Sequence, residues 1–116
     1  MAHLDTVKND NKELRELKKT VLINIAIVCN KTGDFKEAVI TSTKALDLDE
    51  KAVKALYQRA LAQTKLHQYD EALTDIKEAI KLSPSEKNLR DEFEKIKELR
   101  RKANESQSKA ARSLFS

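Results

Sequence analysis

The stretches NIAIVCNKTGDFKEAVITSTKALDLDE (residues 24–50) and QRALAQTKLHQYDEALTDIKEAIKLSP (residues 58–84) lie over one another at an offset of 34 residues. The alignment pairs Ala26 with Ala60, Lys31 with Lys65, Phe35 with Tyr69, Glu37 with Glu71, Ala38 with Ala72, Ala45 with Ala79 and Leu48 with Leu82. Small and large residues alternate along it. Two antiparallel helices per unit produce that pattern, because alanines permit close backbone crossings while larger side chains fill the space beside them. The expected fold class is all-α: helical hairpins stacked into a solenoid. A concave, ligand-accepting surface follows from such stacking, and scaffolds of this type rarely carry out chemistry.

Working outward, Leu14 and Leu17 join Val21, Ile25 and Val28 at helical spacing, so the leading helix is expected to begin near residue 10. Gly33-Asp34 supplies a turn, with Asp34 as N-cap of a second helix over 35–48. A third helix is expected over 50–66. His67-Gln68-Tyr69 then turns without glycine, and a fourth helix runs over 70–82. Ser83-Pro84-Ser85 is the strongest stop, since proline cannot continue a helix and biases its predecessor to extended geometry. Beyond it Leu89, Phe93, Ile96 and Leu99 form one apolar stripe on an otherwise charged helix, the kind of terminal element that covers the last hairpin of a solenoid. The domain reading is a disordered or expression-derived start at 1–9, repeats over 10–84 (about 19–52 and 53–86), a capping helix over 85–103 and a frayed basic tail over 104–116.

The chain is 116 residues long, 40% apolar and 36% charged, with one Gly and one Pro, which suits a single helical domain with short connections. No apolar run approaches the roughly 18 residues that span a membrane, so no membrane partner is expected. One cysteine cannot form an intrachain disulfide, and a reducing, cytoplasmic setting is the default expectation. Residues 1–86 balance at 14 basic and 14 acidic side chains, whereas residues 87–116 hold nine basic against five acidic and account for the net charge of +4. A single basic run without interleaved aromatics does not point to nucleic acid.

The repeats resemble tetratricopeptide repeats. The succession VKALYQRALAQTKLHQYDEALTDIKEAIKLSP, KNLRDEFEKIKELRRK and KAARSLF further resembles the C-terminal domain of the large immunophilins, the forty-kilodalton-type cyclophilins and multidomain FK506-binding proteins, over roughly residues 17–116. In those relatives a peptidyl-prolyl isomerase domain and a first repeat precede the matching part. The resemblance implies a co-chaperone that holds the acidic C-terminal peptide of heat-shock chaperones in a carboxylate clamp of Lys, Arg and Asn side chains. Charge-assisted donors converging from neighbouring helices suit a terminal carboxylate. Asn24 matches the clamp asparagine of the second repeat and Lys54 the lysine of the third. Gln58 stands where the family places arginine. Arg59, one residue on, is rotated by about 100° and does not substitute; a separate structural role is implied for it. The first-repeat clamp residues have no counterpart, which leaves two of five positions matched.

The competing reading is a structural adaptor whose groove takes another peptide or helix. Arg100, Arg101, Lys102, Lys109 and Arg112, set against Leu99, Ala103, Ala110, Leu114 and Phe115, also suggest a basic amphipathic helix of the kind calmodulin wraps, although Asn104 to Ser108 interrupt its apolar stripe. Cys29 is expected as a buried structural thiol. His3 and His67 lack partners at ligand spacing, so no metal or cofactor is expected. With no nucleophile elbow, phosphate loop or paired carboxylates, an enzyme reading of this chain is not favoured.

Overall fold

The computed structural model describes residues 11–115, which form five helices. The expectations for residues 1–9, including His3, lie outside the described residues. The helices are α1 (Lys12–Thr32), α2 (Phe35–Leu48), α3 (Val53–Lys65), α4 (Tyr69–Leu82) and α5 (Lys87–Phe115). α1 pairs with α2 and α3 with α4 as hairpins; α3 packs against both helices of the first hairpin, and α5 lies on α4. The result is an all-α solenoid of two hairpins with a terminal helix.

Local signals set most of the boundaries. Asn11 caps α1 by accepting a hydrogen bond from the Leu14 amide at 3.1 Å. Gly33 ends the helix at φ 86°, in the left-handed region where a Cβ is disfavoured. Asp34 occupies the N-cap position of α2, but its side chain makes no capping hydrogen bond. Thirty-four residues after Gly33, His67 adopts the same left-handed geometry at φ 63° without being a glycine. Its Nδ1 lies 2.8 Å from the Tyr69 hydroxyl. The third helix starts at Val53 rather than near Glu50, because Asp49, held in extended geometry, turns the chain and its carboxylate accepts from the Lys51 amide.

The paired alanines lie in the core. Ala26, Ala38, Ala45, Ala60, Ala72 and Ala79 are all fully buried. One core cluster joins Ile23 and Ala45 of the first hairpin to Ala52 and Ala55 at the start of α3. A larger one joins Leu56, Ala60, Ala72, Leu73, Ile76 and Ala79 to Leu89 and Ile96 of α5. Phe93 is only half-buried at the edge of that cluster, with the Lys77 and Lys97 ammonium groups 5.9 and 5.1 Å from its ring centroid.

Arg59 has a structural role. Its guanidinium grips Asp75 with two hydrogen bonds of 2.7 and 2.8 Å and donates a third, of 3.1 Å, to Thr43 Oγ1. Three helices, α2, α3 and α4, are tied through one side chain. The bidentate geometry satisfies a buried carboxylate that would otherwise carry a large desolvation penalty.

The structure differs from expectation at the end of α5 and at Cys29. α5 does not stop at Ala103: it continues to Phe115, and residues 104–114 of that extension are exposed. Glu105 accepts from Arg101 four residues earlier, and the segment has no proline or glycine, so nothing local ends the helix. At the other end Leu17, Val21, Ile25 and Val28 point away from the core, at 61, 47, 42 and 58% exposure. Cys29 is half-buried rather than buried. Desolvation, followed by the nearby Asp34 and Glu37 carboxylates, raises its thiol pKa and disfavours the thiolate.

Candidate functional site

A groove of about 720 Å³ opens between α1, α3 and the start of α5. It gathers the three residues singled out from the sequence. Asn24 projects from α1, and Lys54 and Gln58 project one helical turn apart from α3. Asn24 and Lys54 are exposed, whereas Gln58 is half-buried.

The electrostatics of the groove come from residues the sequence reading did not identify. Lys19 also lines it, but its ammonium lies 2.9 Å from both Glu16 and Asp49. These hydrogen bonds, first to Asp49 and then to Glu16, hold the Lys19 pKa up, and the Lys19 contact holds the Asp49 carboxyl below its usual range. The Lys19 charge is therefore neutralised within the wall. Lys54 has no ion-pair partner among the described residues and offers its ammonium to solvent. Lys51, Glu86 and Asn88, with Tyr57 of α3, also line the groove beside it, so a second exposed cation and a carboxylate share the site.

Gln58 is held in place rather than free. Asn30 Nδ2 donates to its backbone oxygen at 3.0 Å and to its Oε1 at 2.8 Å. The side-chain amide of Gln58 thus keeps its own donors, the N–H groups on Nε2, for the groove. Asn30 stands six residues after Asn24, and the sequence carried no sign of its role because its partner lies 28 residues away.

Past Gln58 the surface continues into a second cleft of about 470 Å³, lined on its apolar side by Ile27, Phe35, Leu61, Tyr69 and Leu99. A chain crossing from the first groove to the second would meet polar donors and then apolar walls. The tail cations are elsewhere. Arg100 pairs with Asp70 at 3.0 Å, Arg101 pairs with Glu98 and Glu105, and Lys102, Lys109 and Arg112 are exposed along α5. This arrangement gives the calmodulin expectation no specific support. Among the described residues no group of three or more His, Cys, Asp or Glu side chains could hold a metal, and no helix is long and apolar enough to cross a membrane.

Comparison with known proteins follows the same lines. Family models described as tetratricopeptide repeat match residues 20–51 and 53–86. Among solved structures, the C-terminal tetratricopeptide-containing domain of a putative FK506-binding protein from Plasmodium falciparum is 25% identical with a TM-score of 0.76, over 83% of this chain and 66% of that one. The tetratricopeptide domain of Arabidopsis OM64 is 29% identical with a TM-score of 0.68, over 74% and 71%. The myosin chaperone UNC-45 from C. elegans, solved in complex with an Hsp90 peptide, is 29% identical with a TM-score of 0.68, over 95% of this chain and 14% of that one. The chain spans less than two thirds of the length of the first and last of these.

Proposed function

Because the chain belongs to the tetratricopeptide-repeat family of protein-interaction modules, we propose that it docks a chaperone by holding an acidic C-terminal peptide in the groove between α1 and α3. The observation that carries this reading is the convergence of Asn24, Lys54 and Gln58 on one groove, with Lys54 unpaired and Lys19 already neutralised. A terminal carboxylate placed there takes one charge-assisted hydrogen bond from Lys54 and amide donors from Asn24 and Gln58. With only Lys51 and Lys54 unpaired in the lining and the Glu86 carboxylate among them, the binding is weak. UNC-45 in complex with an Hsp90 peptide and the FK506-binding protein domain are the relatives that support a chaperone partner.

Titration calorimetry with a short acidic peptide ending in a free carboxylate tests it. We expect heat that declines with added salt, since the contacts are partly exposed, and that falls sharply for the C-terminally amidated peptide and for Lys54→Ala. Gln58→Arg should tighten binding by about 1 kcal/mol, because it puts a charged fork where the amide now stands. Equal affinity for free and amidated peptide rules the clamp out. That result would favour the second reading, an adaptor whose ligand is anchored by the apolar cleft beyond Gln58.

A further inference from the structure

Asn88, Lys95, Lys102 and Lys109 stand seven residues apart along α5. Seven residues are close to two helical turns, so the four side chains leave the helix along one line that drifts by only about 20° per step. Asn88 lines the groove that holds Asn24 and Lys54, and Lys95 lines the cleft beyond Gln58. The line therefore carries the concave surface on towards the tip of α5. Its three lysines are exposed and have no ion-pair partner among the described residues. Most acidic residues of α5 are engaged elsewhere: Glu98 and Glu105 pair with Arg101, which stands on their far side from the line, and Glu94 pairs with Lys97. Asp91 and Glu92 are left, and both lie at the Lys95 end. On the α1 and α3 walls of the cleft, the repeat-equivalent Lys31 and Lys65 are likewise exposed and without an ion-pair partner among the described residues.

We propose that this line is a docking track for an acidic segment upstream of the ligand's C-terminus, an inference that rests on the groove taking a peptide terminus. With the terminal carboxylate at Lys54, the ligand passes Gln58, crosses the apolar cleft and follows α5 outward. Successive lysines are about 10.5 Å apart along the helix axis. A chain in polyproline II geometry rises about 9.3 Å over three residues and returns to the same face. Carboxylates at every third position of the ligand therefore meet Lys95, Lys102 and Lys109 in turn, over a segment of about seven residues. A protein fits this path better than a nucleic acid does. Ile27, Leu61 and Leu99 stand between the groove and the outer lysines, where an apolar side chain is accommodated and a phosphate backbone is not.

Fluorescence anisotropy of the full chain with three labelled peptides tests this: a short acidic peptide with a free C-terminus, the same peptide extended upstream by about fifteen residues with glutamate at every third position, and the extended peptide with those glutamates replaced by glutamine. At low salt the glutamate peptide should bind about tenfold tighter than its glutamine counterpart, the combined effect of three exposed charge pairs. Added salt should shrink that advantage. Lys102→Gln combined with Lys109→Gln should remove most of it, with the helical circular dichroism and the affinity for the short peptide unchanged. Equal binding of the glutamate and glutamine peptides overturns the track, and so does an advantage that survives the double variant. A single-stranded oligonucleotide of matched charge that binds as tightly as the glutamate peptide also overturns it, since the surface would then attract any polyanion. A short peptide that fails to bind, beside a glutamate peptide whose affinity still depends on Lys102 and Lys109, would remove the groove reading and support the track by itself.

Discussion

At the scale of single residues, the two repeats differ most instructively at their turns. Gly33 and His67 share the left-handed geometry that an L side chain tolerates poorly. The sequence showed the first turn through its glycine and the second through the 34-residue register, but nothing about His67 announces a positive φ. Replacing His67 by Gly should raise stability by about 0.5–1 kcal/mol, the relief of backbone strain exceeding the loss of the Tyr69 contact and the added freedom of the unfolded chain. Gly33→Ala should lower stability by about 1 kcal/mol although open space surrounds the site, because the strain is in the backbone. Urea denaturation of both variants checks the pair of opposite signs. A second residue-scale effect follows from the Lys19 and Asp49 contact. The folded pKa of Asp49 is depressed below its usual 3.8, so its contribution is present above that value and is lost as pH falls through the depressed one. The raised pKa of Lys19 acts at the other limit: that contribution is present below the usual 10.5 and is lost only as pH rises through the raised value. Asp49→Asn should accordingly flatten the acid limb of the stability profile and cost about 0.2–1 kcal/mol at neutral pH. Denaturation midpoints measured from neutral pH down through the carboxylate range would show it. Asn24, Lys54 and Gln58 were singled out through the family resemblance, and the helical register brings them to one groove. Lys19 and Asn30 were not singled out, because their roles depend on partners 30 and 28 residues distant.

At the scale of elements, α5 divides into a buried root and a free end. Its apolar stripe was visible in the sequence, but which member carries the packing was not: Ile96 and Leu89 are fully buried and the larger Phe93 is only half so. Ile96→Ala should therefore cost about 2–5 kcal/mol. Phe93→Ala should cost less, about 1–2 kcal/mol, since the water-facing part of the ring contributes little to the area removed from solvent. Truncation after Ala103 should leave the unfolding midpoint nearly unchanged while reducing the helical signal, because residues 104–114 touch little else. Thermal scans followed by circular dichroism separate the two effects, and a truncation that destabilises as strongly as Ile96→Ala would contradict the division. The helix outran its expected end for a local reason. Sequence punctuation marks where a helix must stop, and here none occurs between Lys87 and Phe115.

At the scale of the whole molecule, stability is distributed along the solenoid. The second hairpin and α5 share the larger core, whereas the first hairpin contributes Ile23 and Ala45 to a smaller one and its outer stripe is covered by none of the described residues. Since repeat stability is approximately a sum of unit and neighbour terms, amide exchange should find α1 and α2 opening at lower free energy than α3 and α4. Uniform protection across all four would show that Arg59, through Asp75 and Thr43, couples the hairpins into one cooperative unit. The order of helices and their hairpin pairing were legible because a 34-residue period admits few other packings. The exposure of α1 was not, because an apolar stripe looks the same whether or not something covers it. The molecule is 69 Å in its longest dimension, and the free end of α5 makes it a lever. Asn88 and Leu89 at the root of that helix line the first groove, and Leu99 lines the second. At about 1.5 Å per residue the tip lies about 24 Å beyond Leu99, where the packed stripe ends, so a bend of about 10° there swings the tip by about 4 Å. Any displacement of Leu99 in the second cleft is therefore magnified along the exposed end of the rod.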